Sequence, residues 1–131
     1  MKIASLDIGL KRIGVAISPN GSIVMPQPAI IRRNRNQASK EVKEFIKEWE
    51  IEKLIVGLPK DGSSSDEMER RIKHFISLID TDIEVIYQDE QFSSFEASEM
   101  TKGEIKHKRD GRLDSISAKI ILERYLERVK R

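Results

Sequence analysis

The chain has 131 residues, 38% hydrophobic and 35% charged, with 24 Lys and Arg against 22 Asp and Glu and no cysteine. That size suits one domain spanning residues 1–131 around a single core, and the lack of cysteine excludes disulfides and thiolate metal sites. The N-terminus runs from Met-Lys into strand-like sequence carrying an aspartate, unlike a signal peptide. With no apolar run near the roughly 18 residues that span a bilayer, the expectation is a cytoplasmic protein with no membrane partner, a monomer or weak homodimer.

Residues Lys2 to Ile8 alternate in strand fashion, and after the turn Gly9-Leu-Lys-Arg12 the run Ile13-Gly-Val-Ala-Ile17 reads as a hairpin partner. A turn at Pro19-Asn-Gly21 leads to a third strand near Ile23 to Met25 that resumes around Ala29 to Ile31. Pro26 and Pro28 cannot donate ladder hydrogen bonds, so this strand belongs at an edge. From Gln37 to Trp49 the apolar spacing is helical, with Val42, Phe45, Ile46 and Trp49 on one face. Lys53-Leu-Ile-Val56 is a short apolar strand. Ser63 to Ser65 offers caps for a helix that buries Met68, Ile72, Phe75, Ile76 and Ile79. A fifth strand runs from Ile83 to Gln88, and Ser93-Ser-Phe-Glu96 has the spacing of a capping box opening a short helix. A basic stretch from Thr101 to Arg112 precedes a terminal helix whose stripe is Asp114, Ala118, Ile121 and Tyr125. A hairpin meander followed by alternating helices and strands implies a mixed α/β sheet of five strands, the first three antiparallel, with helices on both faces.

Three acidic positions stand where a carboxylate is costly. Asp7 shares a strand face with Ile3 and Ser5, Asp89 and Glu90 end the fifth strand, and Asp114 heads the core-facing stripe of the last helix. A lone buried carboxylate costs several kcal/mol unless it is paired or binds a metal. Convergence of the three would make a site for a hard divalent cation, for which carboxylate oxygen is the preferred ligand. Alternation along the strand allows only one of Asp89 and Glu90 to face such a site, and Asp114 could instead cap its helix, with Asp110 and Ser115 as rival caps. His74 and His107 have no catalytic spacing to a Ser or Asp, and His74 belongs on a helix surface.

Four segments, Leu6-Asp-Ile-Gly-Leu-Lys-Arg-Ile-Gly-Val-Ala16, Val56-Gly-Leu-Pro59 with Asp61-Gly62, Asp89-Glu-Gln-Phe-Ser-Ser94 and Leu113-Asp-Ser-Ile-Ser-Ala118, resemble in order those of the YqgF/RuvX family. Members of that family are provisionally assigned as pre-16S rRNA processing nucleases and as Holliday junction resolvases. The resemblance spans nearly the whole chain and implies a ribonuclease H-like fold. It also implies Mg²⁺ or Mn²⁺ held by Asp7, Asp114 and Glu90 or Asp89, and hydrolysis of phosphodiester bonds to a 5′-phosphate and a 3′-hydroxyl. Two departures are visible: Gln91 stands where the family usually has Arg, which removes a bidentate donor that Gln does not replace, and Ser93-Ser94 replaces the usual Ser-Thr.

Lys106, Lys108, Arg109 and Arg112 cluster before the last helix, and Lys11 and Arg12 flank Asp7 in sequence. Beside a carboxylate site such cations would hold a polyanion, since phosphate contacts dominate nucleic-acid affinity. The expected partner is structured RNA, with branched DNA as the alternative substrate. A non-catalytic binding module would keep these cations but has no use for three carboxylates. An actin-like phosphotransferase would share the Asp-x-Gly hairpin but needs two such domains to enclose a nucleotide.

Overall fold

The computed structural model describes residues 1–59, 65–89 and 112–129, and the side chains of Ser65, Asp89, Arg112, Leu113 and Asp114 fall outside that description. Apolar residues at every second position, with β-branched Ile and Val prominent, build β1 (Ile3–Ile8) and β2 (Arg12–Ser18). The turn between them depends on Gly9. Its N–H donates to the Arg12 carbonyl at 3.0 Å, and a Cβ at this position would stand 2.7 Å from that same oxygen. The strand β3 (Met25–Ile31) is continuous through Pro26 and Pro28, not interrupted as the sequence suggested, and Ile23 lies outside it. It tolerates both prolines because it forms the edge of the sheet.

The first helix, α1 (Arg35–Glu48), begins two residues before the point read from its apolar spacing. Asn34 is the N-cap: its Oδ1 accepts from Gln37 N at 2.8 Å, and Gln37 Oε1 accepts from Asn34 N at 3.3 Å, a reciprocal box that the apolar periodicity does not register. Then come β4 (Lys53–Leu58), α2 (Ser65–Ile79), β5 (Glu84–Asp89) and α3 (Arg112–Val129). The short helix expected from Ser93 and the basic residues Lys106, Lys108 and Arg109 lie outside the described residues, as does Glu90.

The five strands are ordered β3-β2-β1-β4-β5. The pairs β1–β2 and β2–β3 are antiparallel, while β1–β4 and β4–β5 are parallel. This is the mixed sheet anticipated from the element order. Alternation along each strand sends Ala4, Leu6, Val15, Leu54 and Val56 to one face, where they meet Val42 and Ile46 of α1 and Ile72, Phe75 and Ile79 of α2. The opposite face presents Ile3, Ala16 and Ile55 to Ala118, Ile121, Leu122 and Tyr125 of α3. Each fully buried Val, Leu, Ile or Phe among them contributes about 1.5–3 kcal/mol. Met68 is only half-buried, short of the burial expected for it, and His74 is exposed as expected. Among the described residues no helix is long and apolar enough to cross a membrane.

Replacing Gly9 by Ala should lower stability by about 1–3 kcal/mol, because the clashing oxygen is backbone at the start of a paired strand and has little room to yield. Urea unfolding measures it, and an unchanged midpoint would show that the turn relaxes freely.

Candidate active site

Asp7 stands at the penultimate position of β1, half-buried, on the face that Ile3 and Ser5 share toward α3. Its partner across the antiparallel ladder is Gly14. The parallel register pairs Leu6 with Val56, so its continuation brings Gly57 beside Asp7, and Gly57 in turn pairs with Gln88 of β5. A carboxylate is thus flanked on both neighbouring strands by residues without side chains. By alternation with Ile86, which packs toward α3, Gln88 belongs to the same face. Among the described residues Gln88 Oε1 is buried without a hydrogen-bond partner.

The ladder is irregular at this point. Between Ile13 and Val15 the register of β2 against β3 shifts, so Gly14, opposite Asp7, faces two residues of β3, Pro28 and Ala29, in a bulge. Bulges recur next to active sites, where they re-aim backbone and side chains. Ser115, wholly buried in the first turn of α3, repairs the break. Its Oγ accepts from Val15 N at 3.0 Å and donates to the Gln27 carbonyl, so one hydroxyl satisfies a backbone group on each of the two separated strands. One turn later Ser5 Oγ donates to the Ala118 carbonyl at 2.6 Å. At the other end of the helix Lys53 Nζ donates to Tyr125 Oη at 3.2 Å, a bond that raises the lysine's pKa. These contacts fix α3 along the sheet with its N-terminal turn beside the Asp7 end of β1.

Asp114 is the residue before Ser115, and its backbone is helical. Because α3 begins at Arg112, Asp114 lies inside the first turn, where the helix dipole favours a carboxylate by about 0.3–1 kcal/mol. It is therefore not the N-cap, and Ser115 is no cap either, since its hydroxyl is committed to the bulge. Arg112, expected in the preceding loop, is the first residue of the helix. The apolar stripe is silent in that first turn, which is why the start was read too late. Asp89 closes β5 in register with Leu58, at the same end of the parallel strands as Asp7. Among the described residues no three His, Cys, Asp or Glu side chains group to hold a metal. Of the carboxylates singled out, only the side chain of Asp7 is described. Lys11 and Arg12 are exposed on the turn beside it.

Sequence reasoning missed the structural role of Ser5 and Ser115. A polar residue in an otherwise apolar run was the available signal for Ser5. Nothing local to Ser115 distinguishes a bulge bridge from a cap.

A family model described as RuvX, Holliday junction resolvase, matches residues 1–128. A protein of Sulfurovum sp. (strain NBC37-1) is 68% identical over 126 residues, which are 96% of this chain and 98% of that one. One from Campylobacter lari is 56% identical, covering 94% and 95%, and one from Helicobacter pylori (strain Shi470) is 45% identical, covering 97% and 96%. All three are provisionally named pre-16S rRNA nucleases. Among solved structures, T. thermophilus RuvC in complex with a Holliday junction superposes with a TM-score of 0.63 at 11% identity, covering 99% of this chain and 96% of that one. The fowlpox virus Holliday junction resolvase superposes with a TM-score of 0.56 at 17% identity, covering 98% and 99%.

Replacing Ser115 by Ala should cost about 1–3 kcal/mol for each buried backbone group left without its partner. Denaturant unfolding reads the loss. A change below about 0.5 kcal/mol would mean that Val15 and Gln27 find other partners.

Proposed function

The chain belongs to the RuvX family and has the ribonuclease H-like fold of its structural neighbours, and on that footing we propose that it is a metal-dependent nuclease that hydrolyses phosphodiester bonds in pre-16S rRNA. The observation that supports the reading is Asp7, a half-buried carboxylate opposite Gly14 on the sheet face that packs against α3, whose first turn includes Asp114. Relatives of 45% identity and above carry the rRNA nuclease name, whereas RuvC, at 11%, shares the fold alone.

The donors suit Mg²⁺ or Mn²⁺. Carboxylate oxygens and the unpartnered Gln88 Oε1 are hard ligands, and the chain has no thiolate to favour a softer metal. Asp7, Asp114 and Glu90 would hold the ion. Glu90 is preferred to Asp89 because Ile86 and Gln88 face α3, so a strand alternation carried one step further selects position 90. When bound, such an ion lowers the pKa of an attacking water and neutralises charge on the scissile phosphate and the leaving oxygen. The protein's own part is positional. Gly14 and Gly57 leave backbone beside Asp7, so a sugar-phosphate chain can approach closely. Lys11 and Arg12 neutralise flanking phosphates, and Lys106, Lys108, Arg109 and Arg112 are proposed to continue that contact.

In an Mg²⁺ or Mn²⁺ cleavage assay, a precursor-rRNA fragment should be cut and Asp7→Asn should lower the rate roughly a thousandfold, equivalent to about 4 kcal/mol of transition-state stabilisation. A four-way DNA junction is the second substrate, because the family's description is that of a junction resolvase. Preferential cutting of the junction would overturn the RNA assignment, and metal-dependent cutting unaffected by Asp7→Asn would overturn the site.

Without metal, converging carboxylates repel one another, which opposes the roughly 0.3–1 kcal/mol that the helix dipole gives the Asp114 carboxylate. Asp114→Asn should therefore leave the metal-free protein within about 1 kcal/mol of wild type, while abolishing the stabilisation that Mn²⁺ gives wild type, about 2.7 kcal/mol at a hundredfold excess over Kd. Thermal unfolding with and without Mn²⁺ tests this. A variant that keeps the full Mn²⁺ stabilisation would remove Asp114 from the metal site.

A further inference from the structure

On the sheet face away from α3 a cavity of about 400 Å³ opens between the β1–β2 turn, α1 and α2. It is within the roughly 300–1,000 Å³ range of small-ligand sites, room for one nucleotide. Among the described residues its rim carries four arginines, Arg32, Arg35, Arg70 and Arg71, and one carboxylate, Glu67. Glu67 is already paired with Arg71 at 2.6 Å. Among the described residues neither Arg32, Arg35 nor Arg70 forms an ion pair with a carboxylate. The apolar part of the lining is Ile8, Met68 and Ile72, with Leu10, 67% exposed, projecting from the turn beside it.

Arg32 is not a loose surface cation. Nη1 donates to the Gly9 carbonyl at 3.0 Å, and the guanidinium lies 5.0 Å from the centre of the Phe75 ring. Burial, and after it the charge of Arg35, lowers its pKa. Arg32 is thus held in place on the rim with Arg35, a second cation, beside it. Both offer guanidinium donors to an anion. Gly9 is two residues beyond Asp7, about 7 Å along an extended chain, so a strand crossing the β1–β2 turn reaches the cavity from the Asp7 face.

We propose that this arginine-rimmed cavity seats one unpaired nucleotide of the substrate strand beyond the cleaved bond, its phosphate on Arg32, Arg35 and Arg70 and its base against Leu10, Met68 and Ile72. The assignment to a nucleic-acid strand rests on the nuclease reading; the phosphate chemistry does not. Single-stranded nucleic acid is bound elsewhere by a cationic groove paired with aromatic base platforms; here aliphatic side chains would take the platform's place, and phosphate contacts of this kind fix position without reading sequence.

The test is fluorescence anisotropy of a short, labelled single-stranded RNA with the full chain in EDTA, where nothing is cleaved. Arg35 and Arg70 are exposed, so Arg35→Ala with Arg70→Ala should fold normally, with the melting temperature as control. It should weaken binding about tenfold and reduce the salt slope by about 0.7 for each lost contact. The corresponding pair of lysine substitutions should restore the slope, because charge alone sets it. Unlabelled RNA should displace the probe at least about a hundredfold more effectively than AMP, since a strand engages several contacts at once. Unchanged affinity and slope in the alanine pair would overturn the cavity's role, and AMP as effective as RNA would overturn its assignment to a strand. Failure to cleave rRNA would leave these binding results standing, and their failure would leave the cleavage result standing.

Discussion

The Ser115 hydroxyl joins the helix α3 to two strands of the sheet at once, and with the Ser5 and Lys53 contacts it sets where α3 lies. Where the register of β2 against β3 shifts between Ile13 and Val15, Ser115 of α3 accepts the Val15 N–H while donating to the Gln27 carbonyl of the opposing strand. A buried backbone group left unpaired costs about 1–3 kcal/mol, so these two bonds favour the longitudinal position of the helix that makes them. That position puts the residue before Ser115, Asp114, in a first helical turn beside the end of β1 that carries Asp7.

The two faces of the sheet divide the work. Toward α1 and α2 the strands contribute large aliphatic side chains, and Phe75, Ile72 and Ile79 close over them. Toward α3 the strands offer smaller and polar groups as well: Ala16, Ser5, and then the row Gly14, Asp7, Gly57 and Gln88. Packing against α3 therefore thins out toward the end of the sheet where the parallel strands terminate, the place where α/β sheets commonly bind ligands. The proposed nuclease site occupies that thinned end. The arginine-rimmed cavity lies on the other face of the same turn, so Gly9 serves both by letting the chain reverse tightly between them.

Much of this is legible in the chain. Strand-like alternation from Lys2 to Ile8 located β1 and placed Asp7 on the face of Ile3 and Ser5. The prolines located β3 at the edge, although they did not break the strand, because an edge strand can leave the proline side unpaired. Periodicity failed at helix starts. Arg35 and Asn36, like Arg112, belong to first turns whose apolar face is not yet expressed, and capping by Asn34 is a polar signal of short range. The arginine cavity was illegible for a different reason. Arg32, Arg35 and Arg70 come from a loop and two helices, and only tertiary packing brings them to one rim.

The claim that the α3 face at the end of β1 is a divalent-cation site is tested most directly by anomalous diffraction from crystals soaked in Mn²⁺. The account predicts manganese bound by Asp7, Asp114 and Glu90, with water completing the shell at about 2.1–2.3 Å. Manganese absent from this face, or these three carboxylates more than about 10 Å apart in the soaked crystal, too far to share an ion, would contradict it.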